Sequence, residues 1–395
     1  MASDQPVLGR RTWRGVPYGP PVRLGRRSSL LIVGPTQVGK TSSLVVPTLL
    51  TWTDALVVTS VKRDVLEVTR RWRASLGEVQ VLEPGRDEGL TWDPLEGVWS
   101  LRHALRVARD LTSRAPAHGD SDFWNSLATK LVASLLMGAR ERAVSIFDVA
   151  AVVEQRAFDA WLEAGETSEA STLLESLLGH DPKTLDGVVT TAETMLLPWR
   201  FRQPLARVRS VVTGPNTLYL CSPRGEQHHY ESLFRGALRT VLEEQQRLVD
   251  EGRQRRLLLV LDEAASVAPL EELDQLAATV SGLDVTLVTV LQDFAQLVAR
   301  WGPRAATIVN NHTTRLVMGG LADPTVQQYL PEIVDRKDDS KSVPLRQRAS
   351  GTALVIAQQR PVLTIRLRPW WRDRHVRHRG ESAMGTIPRW RRPRN

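Results

Sequence analysis

The sequence predicts an α/β fold built on a parallel sheet, with an all-helical insertion in the middle of the chain. Three observations carry this prediction. A glycine-rich loop, G-P-T-Q-V-G-K-T, occupies 34–41 between an apolar run and an apolar-periodic segment. Several other short apolar runs end in polar residues, as strands buried on both faces do. Between 101 and 205 the apolar residues change to helical spacing, so strands and helices alternate only outside this segment.

The glycine-rich loop follows a predicted strand at 30–33 and precedes a predicted helix at 43–50. In that order, backbone N–H groups and the positive end of the helix converge on a polyanion, and glycine lets the chain approach it closely. We therefore expect a nucleotide phosphate site, in which Lys40 reaches the β and γ phosphates and Thr41 is a ligand of Mg2+. The loop consists of Gly34, Pro35, Thr36, Gln37, Val38, Gly39, Lys40 and Thr41. The alternative, a plain turn between two core elements, leaves the lysine without a purpose.

Further strands of the parallel sheet are predicted at short apolar runs bounded by turn or polar residues. They lie at 55–59, 79–82, 218–221, 257–261, 285–291 and 315–318, with two last strands at 353–357 and 362–367. A helix at 63–76 joins the first two of these runs. The helical spacing of Leu127, Leu131, Leu135 and Leu136 typifies the insertion.

This pattern predicts a nucleotide-binding domain that the insertion splits into two pieces. The expected limits are a basic N-terminal segment at 1–28, the nucleotide-binding domain at 29–97 and 207–368, the all-α insertion at 98–206 and a basic tail at 369–395. We expect the chain after Pro369 to be poorly ordered.

A second half of the site is predicted where the apolar run 257–261 ends in Asp262 and Glu263, the pattern called Walker B. Asp262 would hold Mg2+ through its water shell, and Glu263 would polarise the attacking water. An apolar run before two carboxylates can also be a strand end that meets solvent. Its pairing with the glycine loop favours the catalytic interpretation.

Gln292 follows the strand predicted at 285–291, and its amide could sense the γ-phosphate at the carboxyl edge of the sheet, where ligands of α/β sheets bind. The alternative is a glutamine that only starts a helix. ATP hydrolysis at a boundary between subunits usually also needs a cationic finger, a positive side chain that stabilises the charge of the transition state. Arg300, Arg304 and Arg315 are candidates by position.

The chain has 395 residues, 42% of them hydrophobic, and a net charge of +8. Residues 366–395 contain ten arginines against Asp373 and Glu381, so this tail accounts for the whole excess. A basic tail that contains tryptophan suits phosphate backbones, an anionic leaflet or an acidic protein. The excess of arginine over lysine is equally well explained by codon bias.

A single cysteine, Cys221, excludes internal disulfides and cysteine-rich zinc sites. The first fifteen residues are polar and have no apolar core of a signal peptide, and no stretch of about 20 apolar residues occurs. We therefore expect a cytoplasmic protein.

Several short motifs, taken in their order along the chain, resemble those of the type IV secretion coupling proteins, the TraG/TraD group of RecA-like ATPases. The glycine loop is followed by V-V-P-T-L-L at 45–50, and the second predicted strand by V-K-R-D at 61–64. The remaining motifs are W-D-P-L at 92–95, F-W-N at 123–125, L-D-E at 261–263 and L-Q-D-F-A-Q-L at 291–297.

The resemblance implies a RecA-like P-loop NTPase that binds ATP and Mg2+ and forms a homo-hexameric ring around DNA. It also implies ATP sites between subunits, a relaxase or relaxosome substrate at the insertion, and partners among the type IV secretion channel components. The chain departs from the family pattern at Ser60, where an acid is usual, and at Ser281, where an arginine is frequent.

Family members usually begin with transmembrane helices, whereas this chain starts almost at its first predicted strand. We therefore expect it either to assemble on a separate membrane-anchoring protein or to be held by its basic ends at the inner face of the cell membrane.

Two alternative functions stay open. One is a DNA-pumping ATPase of the FtsK/HerA type. The other is a nucleotide-gated recruitment adaptor with little hydrolysis, which the missing arginine at Ser281 motivates.

Overall fold

The computed structural model divides the chain into two compact units. The first unit comprises Met1–Gln80, Ser210–Gln227 and Glu244–Asn395, and the second comprises Val81–Arg209 and His228–Glu243. The residues that the structure describes are 5–13, 16–61, 63–86, 89–112, 120–164, 167–222, 225, 227–267, 270–321, 325–329, 348, 351–357 and 360–384. The domain limits predicted from the sequence stay a prediction.

The centre of the first unit is a parallel sheet whose strands are buried on both faces. In spatial order its strands are β11 (Thr314–Met318), β3 (Ser29–Val33), β10 (Val285–Leu291), β9 (Leu257–Leu261), β4 (Ala55–Ser60) and β8 (Thr217–Cys221). The strand β5 (Val79–Leu82) follows β8 at one end of the sheet. All side chains of β3, β4, β8, β9 and β10 are buried, which explains why these strands appear in the sequence as uninterrupted apolar runs.

The strands predicted at 79–82, 257–261 and 285–291 coincide with β5, β9 and β10, and the other predicted strands agree with the structure to within one residue at either end. The helix predicted at 63–76 is α2 (Asp64–Ala74). The helix predicted after the glycine loop begins with the π-helical turn Thr41–Val45 and continues as α1 (Val46–Thr51).

Four antiparallel strands extend the other end of the sheet. In order from β11 they are β12 (Thr352–Ala357), β13 (Leu363–Arg366), β1 (Val7–Trp13) and β2 (Val16–Arg23). The last two form a hairpin that was not predicted from the sequence, which placed the first strand at 30–33 and a basic segment before it. Polar residues and three prolines concealed this hairpin, since they do not form the alternating pattern by which a strand is recognised.

The remaining helices of the first unit connect or follow the strands. They are the end of α9 (Gln227–Asp250), α10 (Ala264–Val267), α11 (Leu273–Thr279), α12 (Phe294–Trp301), α13 (Ala305–Asn311), α14 (Val326–Tyr329) and α15 (Arg374–Met384). None of the helices in the described ranges is long and apolar enough to cross a membrane.

The helix α15 shows that the predicted disorder after Pro369 is wrong for 370–384. Trp370 and Val376 are buried, and a Cβ on Gly380 would lie 2.6 Å from Trp370, so ring and helix pack closely. Arg379 donates to the carbonyl oxygen of Leu50 at 2.6 Å and lies over the ring of Trp72. A few apolar contacts and one arginine hold a helix whose composition is mostly polar. The end of the tail, 385–395, is outside the described residues.

The second unit is mainly helical, as the sequence predicts for the insertion. Its helices are α3 (Leu101–Leu111), α4 (Asp120–Arg142), α5 (Ile146–Gln155), α6 (Phe158–Glu163), α7 (Glu169–Leu178), α8 (Pro182–Leu196) and the first part of α9. A short parallel pair, β6 (Thr91–Trp92) and β7 (Leu205–Ala206), adds the strands that were not predicted. The ring of Trp92 fills the space beside Gly236 of α9, where a Cβ would lie only 2.3 Å from the indole.

Arg73 of α2 holds the amino-terminal side of the parallel sheet in place. Its guanidinium is fully buried and donates to Thr217 Oγ1 at 2.7 Å and to the carbonyl oxygens of Trp52, Asp54 and Pro215 at 2.5, 2.6 and 3.3 Å. Burial lowers the pKa of Arg73 to about 10, so the group stays charged at neutral pH. One side chain thus satisfies polar groups of two chain segments, before β4 and at the start of β8, that would otherwise be buried without donors.

Replacement of Arg73 by methionine is expected to reduce the free energy of unfolding by about 3 kcal/mol, because several buried acceptors lose their donor. Chemical denaturation followed by circular dichroism measures the effect. The matched control is Arg70→Met on the exposed side of the same helix, which should change stability by no more than about 0.5 kcal/mol. Equal losses in the two variants would contradict the role given to Arg73.

His312 is a second buried polar anchor, between α13 and the strand β10. Its Nδ1 lies 2.7 Å from the carbonyl oxygen of Ile308, which can only accept, so Nδ1 carries the proton. Nε2 then accepts from the hydroxyl of Thr289 at 3.0 Å. Burial, and to a smaller extent the positive charge of Arg315, lower the pKa of His312 to about 4.

The neutral His312 is expected to make folding stability depend on pH. Between about pH 6.5 and pH 4 the unfolded chain binds a proton that the folded chain does not, so the free energy of unfolding falls as the pH falls through this window. The loss amounts to about 3 kcal/mol. Denaturation of wild type and His312→Gln across this range isolates the effect, because the variant should lack this part of the slope. Parallel pH profiles would refute it.

Candidate functional site

The glycine loop 34–41 begins where the central strand β3 ends. The N–H of Gly34 donates to the carbonyl oxygen of Leu291, the last residue of β10, so the start of the loop is tied to the neighbouring strand. A Cβ at Gly34 would lie 2.7 Å from the Cβ of Met318, which leaves no room for a larger residue. Gln37 and Gly39 have φ angles of 65° and 94°, and this left-handed backbone turns the loop into the helix that starts at Thr41.

Lys40 lies inside the loop. Its side chain is 9% exposed, and Nζ donates to the carbonyl oxygens of Gly34 and Pro35 at 2.5 and 2.8 Å. The ammonium group is therefore held at the concave side of the loop by oxygens of the loop itself. A phosphate that replaced these two carbonyl oxygens would accept hydrogen bonds from a buried ammonium group. Lys40 would not have to move out of the loop to bind it.

Asp262 joins the loop to the neighbouring strands. Its Oδ2 accepts a hydrogen bond from Thr41 Oγ1 at 3.2 Å, and its carbonyl oxygen accepts one from Thr59 Oγ1, at the end of β4, at 2.9 Å. The carboxylate is buried, and burial followed by the negative charge of Glu263 raises the pKa of Asp262 to about 6. The Thr41 hydrogen bond and the charge of Lys40 oppose this rise. The structure thus brings together the two residues predicted to hold Mg2+, 221 positions apart in the chain.

Glu263 follows in a strained backbone conformation. Its φ angle is 55°, in the left-handed region that residues with a Cβ rarely adopt, and its carbonyl oxygen accepts from the N–H groups of Ser266 and Val267 in α10. The side chain is partly exposed, unlike that of Asp262. Strain at this position turns the chain directly after the buried carboxylate, so the two acidic side chains occupy different environments.

Gln292 stands at the end of β10, at the same edge of the sheet. Its backbone N–H donates to Gln296 Oε1 at 3.2 Å, while the backbone N–H of Gln296 donates to Asp293 Oδ1, the N-cap of α12. Gln296 Nε2 reaches Ser266 Oγ at 3.4 Å, in the turn that follows Glu263. A chain of contacts therefore connects the strand ends that carry Gln292 and Glu263.

Three contributors to this site were not predicted from the sequence. Thr59 holds the Asp262 backbone, Gln296 connects two strand ends, and the negative charge of Asp64 adds to the rise in the pKa of Asp262. The V-K-R-D motif included Asp64 without a role for it. Gln296 likewise stood in the L-Q-D-F-A-Q-L motif without a role, and for Thr59 the available signal was a polar residue near the end of a strand. The contacts of these residues depend on the strand order, which the sequence does not show.

The proposed arginine fingers differ in their surroundings. Arg304 is engaged within its own chain, since Nη1 donates to the carbonyl oxygen of Glu271 at 3.0 Å and Nη2 forms an ion pair with Asp274 at 3.1 Å. Burial lowers the pKa of Arg300. Arg315 lies on β11, half-buried. These contacts weigh against Arg304 as a finger.

The side chains of Thr41 and Asp262, at the carboxyl edge of the parallel sheet, fit a nucleotide that binds with Mg2+. A hydroxyl and a carboxylate are oxygen ligands of the kind that Mg2+ prefers, and a buried acid with a raised pKa gains from a nearby cation. Within the described residues no group of three or more acidic, histidine or cysteine side chains could hold a metal alone. A cation here would therefore depend on phosphate oxygens and water for its other ligands.

Two family models match the chain. One, described as Type IV secretory system Conjugative DNA transfer, matches residues 10–195. The other, described as the TraM recognition site of TraD and TraG, matches residues 256–364. Together they cover both pieces of the first unit that carry the site, and most of the second unit.

Two curated relatives are similar over much of the chain. Protein VirD4 of Rhizobium radiobacter is 22% identical, over 97% of this chain and 62% of the relative. The Conjugal transfer protein TraG of Escherichia coli is 24% identical, over 69% of this chain and 49% of the relative. The chain thus spans less than two thirds of the length of these relatives.

A solved structure, the plasmid coupling protein TrwB in complex with ADP and Mg2+, has the same fold. The TM-score is 0.69 at 18% identity, and the match covers 91% of this chain and 89% of TrwB. This likeness confirms the predicted RecA-like α/β fold with its helical insertion. The family models, the relatives and the ordered motifs agree, and the chain belongs to the family of type IV secretion system coupling proteins.

Proposed function

We propose that the protein is an ATP-driven coupling protein, which recruits DNA or a relaxase–DNA complex and passes it to a type IV secretion channel for conjugative transfer. The observation that carries the proposal is the Thr41–Asp262 contact at 3.2 Å, because it joins the phosphate loop to the acidic strand end in a chain of this family. The printed names of the relatives support the transfer role, and the TrwB complex supports nucleotide and magnesium as ligands.

In this proposal the glycine loop, Gly34 to Thr41, binds the phosphates of ATP through its backbone N–H groups. Lys40 Nζ exchanges its loop carbonyls for phosphate oxygens and neutralises their charge. Thr41 Oγ1 and Asp262 hold Mg2+, which when bound neutralises charge on the β and γ phosphates. Both residues already lie in hydrogen-bond contact, so the cation would meet ligands that are held in place.

Glu263 is the proposed general base. Its carboxylate orients the attacking water and accepts the proton, a task that suits a side chain with more solvent contact than Asp262. Gln292 would sense the γ-phosphate, and Gln296 would transmit its position to the turn after Glu263. This arrangement gives the two acidic residues separate roles, one toward the metal and one toward water.

The proposed partners are DNA, relaxase or relaxosome proteins, and the components of the secretion channel. Residues 256–364 match a model named for TraM recognition, so we assign contact with a relaxosome protein to this part of the chain. The working form would be a homo-hexamer in the cytoplasm, at the inner face of the cell membrane, with a separate membrane-anchoring protein as a further partner.

A nucleotide-gated recruitment adaptor with little hydrolysis is the second candidate. Ser281 stands where an arginine is frequent in the family, and Arg304 is already bound to Asp274 and to the Glu271 carbonyl. Both observations leave fewer arginines available to stabilise the negative charge of the transition state. The adaptor would bind ATP with the same loop but would not respond to DNA with turnover.

Steady-state ATP hydrolysis, measured with and without single- and double-stranded DNA, separates the two candidates. We expect DNA to stimulate turnover, and Glu263→Gln to reduce it by about 100-fold or more while nucleotide binding persists, because only the proton acceptor is lost. The matched control is Glu175→Gln, an exposed glutamate of α7, which should keep full activity. Nucleotide binding without DNA-stimulated turnover would favour the adaptor.

The electrostatics of Asp262 lead to a second expected outcome. In the absence of Mg2+ and nucleotide, its ionised carboxylate is buried beside Glu263, so Asp262→Asn should raise the thermal midpoint at pH 8 by about 2 °C or more. The same variant should lose the stabilisation that MgATP gives the wild type. Asp274→Asn is the control, since that buried carboxylate is paired with Arg304 and its loss should destabilise the protein. A lower midpoint for Asp262→Asn would contradict the raised pKa.

A further inference from the structure

The hairpin β1–β2 carries an exposed cluster of large apolar and aromatic side chains. Trp13, Val16 and Tyr18 are 69%, 66% and 49% exposed. Within the described residues of the first unit, these are the large hydrophobic side chains that remain exposed to this degree. Apolar surface gathered at one place, with polar surroundings, marks a site of interaction more often than scattered single residues do.

The register of the hairpin places the cluster on one face. Arg11 is paired with Tyr18 and Trp13 with Val16, so the members of each pair share a face. Arg11 and Trp13, two residues apart on one strand, also share a face, as do Val16 and Tyr18 on the other. The shift in register between Arg10 and Arg11 lies outside these pairs. We call Arg11, Trp13, Val16 and Tyr18 the hairpin face.

Positive charge lies on the hairpin face without acidic compensation along the strands. The sequence contains no Asp or Glu between 5 and 53, or between 360 and 372. Arg11 is exposed, and it is paired with Tyr18 of β2 on one side and with Ile365 of β13 on the other. The neighbouring pair Arg10 and Arg366 lies on the opposite face of the sheet, so Arg11 is the cation that an anion on the hairpin face would meet.

We propose that the hairpin face docks on an anionic lipid bilayer, with Trp13 and Tyr18 at the level of the headgroups and Arg11 on lipid phosphates. Tryptophan and tyrosine combine an apolar ring with a polar tip, which suits the boundary between water and lipid. Arginine side chains reach headgroup phosphates while their stems cover apolar surface. The inference builds on the proposed location at the inner face of the membrane and names the surface responsible.

Two other occupants fit the hairpin less well. Single-stranded DNA would stack its bases on the aromatic rings, but Val16, which lies opposite Trp13, offers no ring for stacking. A second copy of the chain could extend the sheet at β2, but Pro17, Pro20 and Pro21 lack the N–H groups that a further strand would need. A membrane surface requires neither stacking nor strand pairing.

Sedimentation with lipid vesicles tests the proposal on the full chain. The probes are vesicles of phosphatidylcholine alone and of phosphatidylcholine mixed with phosphatidylglycerol. We expect wild type to prefer the anionic vesicles, and the double variant Trp13→Ser/Tyr18→Ser to partition about tenfold more weakly. Arg11→Gln should also weaken partitioning, by about fivefold, and should reduce its dependence on salt, whereas Arg10→Gln on the opposite face should stay within about twofold of wild type. Phe201→Ser, which removes a 75% exposed aromatic ring from the second unit, should stay within about twofold of wild type.

A further variant, Val16→Glu, distinguishes loss of binding from loss of folding. Val16→Glu changes one exposed side chain and adds a charge that anionic lipid repels, so it should reduce partitioning while the thermal midpoint stays unchanged. Equal partitioning of wild type to both kinds of vesicle, or unaltered partitioning of Trp13→Ser/Tyr18→Ser, would overturn the proposal.

DNA binding and self-association are measured on the same variants. A loss of affinity for a single-stranded oligonucleotide, or a change of oligomeric state in sedimentation velocity, in place of a loss of vesicle binding would assign the hairpin face to DNA or to a second copy. Either result would overturn the membrane proposal. The ATPase measurement uses no lipid, so failure of the hairpin proposal and failure of the proposed function give different results.

Discussion

The hydrogen bond from Thr41 to the buried carboxylate of Asp262 depends on the register in which the parallel strands β3, β10, β9 and β4 pair. In this register Leu261, the last residue of β9, is paired with Thr289 of β10 and with Thr59 of β4, and Thr289 is paired with Leu31 of β3. Thr59 then fixes the Asp262 backbone from the other side. A shift of one residue in any of these strands would turn the side chains to the opposite face and separate the phosphate loop from the acidic strand end. The rest of the sheet serves to keep that register.

The parallel strands and the phosphate loop were predictable because burial on both faces leaves a direct trace in the sequence. The runs at 257–261 and 285–291 contain apolar residues and small hydroxyl-bearing ones alone, and both coincide with strands. The hairpin β1–β2 and the helix α15 leave no such trace. Most positions in β2 are exposed, and α15 depends on a few contacts, such as the ring of Trp370 against Gly380. Tertiary packing, which a local pattern does not record, determines these elements.

The candidate site was predictable to the extent that its residues lie within continuous motifs. Lys40, Thr41, Asp262 and Glu263 follow from the loop and the strand end, and the fold places Thr41 and Asp262 in contact. Thr59 and Gln296 act through side-chain contacts across strands, which become visible only once the strand order is known. The left-handed backbone of Glu263 has no signature in the sequence either, because the residue type usually disfavours it. An arginine finger supplied by another copy of the chain would leave no mark in a single subunit.

In the proposed mechanism the phosphate loop and Asp262 form one Mg2+-dependent nucleotide site. Isothermal titration of the wild-type protein with ATP, in Mg2+ and in excess chelator, is the decisive measurement. We expect ATP to bind at least about tenfold more tightly in Mg2+, since the cation offsets a buried carboxylate and several phosphate charges together. Equal affinity under both conditions would contradict it, because the Thr41–Asp262 pair would then contribute nothing to the bound nucleotide.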